Sequence, residues 1–152
     1  MLSDGTRTYT WKQGRQLATL TQGGTTWTYT YNADGLRTKR TDGTNTYTYT
    51  YDGSQLRRMT VGSNTMSFLY DANGLPYRVN VNGMFYFYVT NLQGDVIAIV
   101  CEDGTLAVEY TYDAWGNILS ITGPQASTLG ASNPLRYRSY IYDTGPLCIA
   151  RC

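Results

Sequence analysis

Eleven carboxylates, fifteen phenols and three thiols are the groups of this 152-residue chain that could do chemistry, and no histidine stands beside them. Without imidazole there is no Ser-His-Asp or Cys-His nucleophile pair and no His-bearing metal site within the chain. Cys101, Cys148 and Cys152 are odd in number and lack Cys-x-x-Cys spacing, which argues against both a disulfide framework and a zinc site. Carboxylates remain. A pair of acids could hydrolyse a glycosidic bond, one protonating the leaving oxygen while the other serves as base or nucleophile. Asp or Asn, however, returns at one phase of successive units (Asn32, Asp52, Asp71, Asp113), where a catalytic pair is expected only once. Turn chemistry is therefore the favoured reading. Calcium at stacked Asp-Gly turns is a further possibility, but the acidic nonapeptide spacing that would support it is missing. No catalytic residue, metal ligand or cofactor is assigned.

Those acids sit in a phrase that positions them: aromatic, any residue, aromatic, Asp or Asn, two spacers, Gly, then an aliphatic. It reads Tyr110-Thr111-Tyr112-Asp113-Ala114-Trp115-Gly116-Asn117-Ile118, and recurs as Tyr29 to Leu36 with Tyr31 and Gly35. It returns as Tyr49-Thr50-Tyr51-Asp52 and as Phe68-Leu69-Tyr70-Asp71-Ala72-Asn73-Gly74-Leu75. Looser copies lie at Tyr9-Thr10-Trp11, at Tyr86-Phe87-Tyr88 (followed by Gly94) and at Tyr140-Ile141-Tyr142-Asp143. The second aromatics fall at 11, 31, 51, 70, 88, 112 and 142, a period near 20 residues over most of the chain. Such a period means a repeat architecture. Gly23-Gly24, Asp42-Gly43, Asn82-Gly83 and Asp103-Gly104 fall between copies, and such pairs accept the positive φ of tight hairpin turns. The chain should be all-β, an array of antiparallel hairpins forming one curved, spiralling ribbon.

Alternation assigns the faces. Trp27-Tyr29-Tyr31, Tyr47-Tyr49-Tyr51, Met66-Phe68-Tyr70, Met84-Tyr86-Tyr88 and Val108-Tyr110-Tyr112 should share a buried face, opposite a threonine face suited to water. The Tyr and Trp rings could instead be a platform for sugars, but pairs at strand spacing favour burial. The Asp or Asn after the second aromatic should accept a backbone N–H two residues on, forming an Asx-turn. Trp115 lies inside such a turn and reads as a local packing plug. Arg136 and Arg138 flank Tyr137 on an expected strand and should pair with turn carboxylates. Two stretches break the one-sided pattern, Met84 to Val89 and Val96 to Cys101, which are apolar on both faces. Phe85, Phe87, Ile97 and Ile99 are therefore candidate interface residues, expected to meet another layer in a longer protein, from the continuation of the core or the next turn of the spiral; in this chain the 123–134 loop should cover part of them and the rest should drive self-association. Within that loop one helical turn is expected at Ser127 to Leu129.

Charge narrows the partners. Twelve basic against eleven acidic residues leave +1, spread without runs, so neither nucleic acid nor a membrane surface is an expected partner. No apolar run reaches membrane-spanning length.

Tyr-x-Tyr-Asp-x-x-Gly at this spacing resembles the YD repeat of Rhs-type proteins, over essentially residues 5 to 144. That family includes polymorphic toxins, insecticidal Tc-toxin C components, wall-associated toxins and teneurins. The stretch Tyr88-Val89-Thr90-Asn91-Leu92-Gln93-Gly94-Asp95-Val96 through Asn117 is similar to the Rhs-associated core, and Asn133 to Thr144 continues it. The resemblance implies a non-catalytic wall, part of a hollow shell around a C-terminal toxin, with the remainder of that shell and its cargo as partners. It also implies a secreted, cell-surface or delivered protein, and a self-cleaving core beyond the matched stretch. Gly145-Pro146-Leu147-Cys148 stands where the family continues Glu-Thr-Gly-Leu-Tyr, and Ser139 where it prefers Gly. Three segments are thus expected: a hairpin array over 1–122, a loop and the start of the associated core over 123–144, and an aberrant, frayed tail over 145–152. The alternative reading is a cell-surface carbohydrate-binding or adhesion array.

Overall fold

A computed structural model describes residues 2–139 and Ile141; Tyr140 and the tail from Tyr142 onward lie outside the described residues. Thirteen strands follow one another in sheet order as they do in sequence, all pairings antiparallel. They are β1 (Leu2–Ser3), β2 (Arg7–Lys12), β3 (Gln16–Gln22), β4 (Thr25–Tyr31), β5 (Arg37–Thr41), β6 (Thr46–Asp52) and β7 (Gln55–Val61). After these come β8 (Asn64–Tyr70), β9 (Pro76–Val81), β10 (Met84–Thr90), β11 (Val96–Cys101), β12 (Leu106–Tyr112) and β13 (Ile118–Thr122). Contacts divide the chain into two compact units, Met1–Met66 and Ser67–Cys152. No helix among the described residues is long and apolar enough to cross a membrane. The all-β hairpin array expected from the period is the observed fold.

Within the first unit, Tyr29 and Tyr49 are buried on one face while Thr26, Thr28, Thr30, Thr46, Thr48 and Thr50 face water. The threonines still do structural work, since Thr10 and Thr19 (2.6 Å) and Thr21 and Thr26 (2.9 Å) join hydroxyls across strands. Tyr9 pairs with Leu2 of β1. Arg40 lies at 3% exposure on the tyrosine face, its guanidinium 4.0 Å from the Tyr47 ring centre, a cation–π contact where other units carry Met59 or Ile99.

Five of the strand pairings joined by the longer turns share a device that periodicity does not announce. After Thr10, Thr30, Thr50, Val89 and Thr111 the pairing slips by one residue on the following strand. Each slip is a β-bulge, which re-aims the side chains beyond it. On the bulged strands this buries residues three apart, Leu17 with Leu20, Leu56 with Met59 and Val96 with Ile99, and β9 shows the same spacing in Pro76 and Val79. Strict alternation holds only on the strand before the turn.

That bulge corrects two expectations. Ile99 belongs to the buried face, fully inaccessible and opposite Tyr88, because the extra residue Ile97 inverts the alternation. The repeat phase also moves in the fifth copy. Thr90 faces Val96 as Tyr31 faces Arg37, Tyr51 faces Leu56 and Tyr112 faces Ile118, so Thr90, not Tyr88, is its second ring position. Positions 70, 90 and 112 then stand 20 and 22 residues apart, and the period becomes more regular.

Candidate functional site: the tyrosine face and its plug

The Asx-turns position everything above them. Asn32, Asp71, Asn91 and Asp113 each accept the backbone N–H two and four residues on with Oδ1, at 2.9–3.0 Å. Asn serves as well as Asp because the acceptor is one side-chain oxygen. Asp113 also takes the Asn117 side-chain amide at 2.8 Å. That bond and the turn N–H groups lower the Asp113 carboxyl below its ordinary value of 3.8. Backbone N–H groups lower Asp4 and Asp42 in the same way, and Thr105 lowers Asp103. A glycosidase acid needs a raised value, so these four acids are suited to accepting hydrogen bonds and not to giving protons.

On the second unit the tyrosine face is occupied by the segment after β13. Ala126–Gly130 makes one wide helical turn, a residue longer at either end than the sequence suggested, and packs on β12 and β13. Gly130 is required there, since a Cβ would fall 2.8 Å from Ile121 and 2.9 Å from Val108. Asn133, 1% exposed, follows. Its Oδ1 accepts the Tyr88 hydroxyl at 2.7 Å, and its amide donates to the Leu135 carbonyl at 2.7 Å and to the Tyr110 hydroxyl at 3.3 Å. Tyr110 in turn donates to the Gly130 carbonyl at 2.8 Å. Burial pushes the Tyr88, Tyr110 and Tyr112 phenols up from 10.0, so at neutral pH they are hydrogen-bond donors, not bases.

Arg136, 3% exposed, donates through Nε to the Asn133 carbonyl and through Nη2 to those of Gly130 and Ala131, all at 2.9 Å, with its guanidinium 5.4 Å from the Tyr110 ring centre. It gathers the C-terminal carbonyls of the turn. The expected strand at 135–138 is not formed: Leu135 makes an isolated bridge to Ile141, and Arg138 adopts φ 49°. The Arg138 N–H donates to Asp95 Oδ1 at 2.9 Å, while Asn91 Nδ2 holds the other oxygen at 2.8 Å. Tyr137 lies 5.9 Å from the Tyr112 ring, directly over Gly116, where any Cβ would collide with it.

Tyr29 (3% exposed), Tyr49 (4%), Tyr86 (5%) and Tyr110 (2%) are thus core. Tyr31, Tyr51, Tyr70 and Tyr112 are half-buried at the margin, Tyr51 donating to the Arg37 carbonyl and Tyr112 to that of Val96. Trp115 is not the expected plug: it is 80% exposed, because the Asx-turn aims that position away from the sheet. Tyr137 fills the role instead. Cys101 is half-buried. Phe85, Phe87 and Ile97 lie off the tyrosine face, and the 123–134 segment covers the tyrosine face, not theirs. Asn133 and Arg136 carry no periodic signal, since each acts once; only the family resemblance over Asn133 to Thr144 marked that stretch.

Hairpins repeated in chain order, tyrosines inward, Asx-turns at one margin and a plug on the rings together define a YD-repeat sheet of the Rhs kind. The chain belongs to the teneurin YD-shell family, whose profile matches residues 59–147. It is 38% identical over 148 residues to a tRNA3(Ser)-specific nuclease WapA of Bacillus spizizenii and 37% identical to a tRNA nuclease WapA of Bacillus subtilis, matching 93% of this chain in each case. It spans 6% of the length of those relatives. Among solved structures it resembles the Photorhabdus luminescens Tc holotoxin pore (TM-score 0.69, 14% identity, 92% of this chain and 8% of that chain). A TcdB2–TccC3–TEV structure is similar (TM-score 0.69, 13% identity, 91% and 8%).

Proposed function

We propose that this chain is a non-catalytic wall segment of a YD-repeat shell, and that in the longer protein the shell encloses a C-terminal toxin. The observation that carries the reading is the tyrosine face itself. Around the plug its polar groups are taken up by structure: the Tyr88, Tyr110 and Tyr112 phenols by Asn133 and backbone carbonyls, Asx oxygens by turn N–H groups, and Arg136 by the carbonyls of the plug. A buried polar network satisfied in this way contributes rigidity and a single arrangement. The names of the Bacillus relatives add a toxin context, and a stretch amounting to 6% of their length leaves room for nuclease activity elsewhere in them. Adhesion through aromatic sugar stacking has less support, because the repeated rings are core.

The test is an exchange. Residues 2–139 replace the matched stretch of Bacillus subtilis WapA, beside a variant with that stretch deleted. The region downstream of the insert should resist limited proteolysis in the exchanged protein and be digested in the deletion. Digestion at equal rates would contradict a wall role.

A further inference from the structure

One sheet face in the second unit is built for a neighbour. Strands β4 and β6 turn threonine to water, whereas β10 turns out Phe85, Phe87 and Val89, the first and last 38% and 39% exposed. Val100 stands beside Phe87 and Ala98 beside Val89, so the apolar surface continues across β11. The plug lies on the opposite face, over Tyr88 and Tyr110. Exposed apolar surface of this kind, rimmed by polar groups, marks an interaction site.

The rims identify the occupant. Arg78 borders the patch on β9 beside Phe87, and exposed Glu109 borders it on β12 beside Ala98. The Arg78 guanidinium lies 4.7 Å from the Phe85 ring centre, and its buried Nε has no hydrogen-bond partner among the described residues. A two-fold axis parallel to the strands, between β10 and β11, sets β9 of one copy over β12 of the other. Arg78 then stands two residues along the strand and one sheet spacing, about 10 Å, from the partner's Glu109, a gap that the two long side chains span together. Being isologous, the contact occurs twice, with Phe87, Val89 and Val100 packed between. Sheets packed this way stack about 10 Å apart, which lets such side chains interdigitate.

We propose that the face of β9–β12 carrying Phe85, Phe87, Val89 and Val100 is an isologous interface that pairs two copies of this chain, with Arg78 of each set against Glu109 of the other. This goes beyond the wall role, which needs no pairing, so either can fail alone. Sedimentation of the 152-residue chain over a range of concentrations should show a monomer–dimer equilibrium that saturates at two. Arg78→Glu and Glu109→Arg should each raise the dissociation constant by about tenfold or more. Mixing the two variants should restore dimers, since both contacts in the mixed pair are then complementary. Val89→Arg, at an open position, should give a monomer with an unchanged β-sheet circular dichroism spectrum. A chain that stays monomeric, grows past two copies, gains nothing on mixing or still dimerises as Val89→Arg overturns the proposal.

Discussion

Asn133 shows at the scale of one residue how this face is held. Its amide and carbonyl oxygen join Tyr88, Tyr110 and Leu135 at once, inside a site that water does not reach. Asn133→Ala takes from the buried Tyr88 hydroxyl and Leu135 carbonyl the partner they have here, while Tyr110 keeps the Gly130 carbonyl, and should cost about 1–3 kcal/mol in a urea titration. The same phenols set the alkaline limit. Their folded values lie above 10.0, so their contribution is complete below that pH and is lost as pH rises through the raised values. The urea midpoint should fall from about pH 10 upward, and Tyr88→Phe should lessen that fall. At the acid end, Asp4, Asp42, Asp103 and Asp113 are lowered, so their smaller contribution is present above 3.8 and disappears as pH drops through their folded values. A midpoint unchanged at high pH would mean that the rings are not enclosed.

Turn and bulge act together at the scale of the element. Asp113 offers one oxygen to two backbone N–H groups, as Asn32 and Asn91 do in their own units. Asp113→Asn keeps the oxygen that caps the turn and loses only the bond from Asn117, so it should lower the melting temperature less than Asp113→Ala, which removes both. Gly116→Ala should lower stability by more than about 1 kcal/mol, because φ is 90° and a Cβ meets the Tyr137 ring. Bulges account for most of what the sequence concealed. Tyrosine alternation was legible on β4, β6 and β12, where side chains obey period two. On β11 the added Ile97 shifts the phase, so Ile99 turns inward although spacing alone aligned it with Ile97. Thermal melts check that placement directly. Ile99→Thr should destabilise by about 1.5–3 kcal/mol, and Phe87→Thr by about 1 kcal/mol or less. The reverse order would return Ile99 to the open face.

At the scale of the molecule, the period, the turn pairs and the tyrosine rows were enough to read an all-β hairpin array and its YD-repeat family. The plug was not legible, for a physical reason. Periodicity reports what every unit shares, and Asn133, Arg136 and Tyr137 do something only once, at the end of the array. Their partners are backbone carbonyls, ring faces and the hydroxyls of tyrosines 23 and 45 residues away, which leave no local pattern in a sequence. The proposed wall role predicts that this chain lacks the activity for which its Bacillus relatives are named, that of tRNA nucleases. The most direct measurement incubates the purified chain with total tRNA and follows chain length on a denaturing gel. Intact tRNA at every protein concentration is the predicted result. Cleavage that co-purifies with the folded chain and disappears when its turn carboxylates are changed to Asn would contradict it.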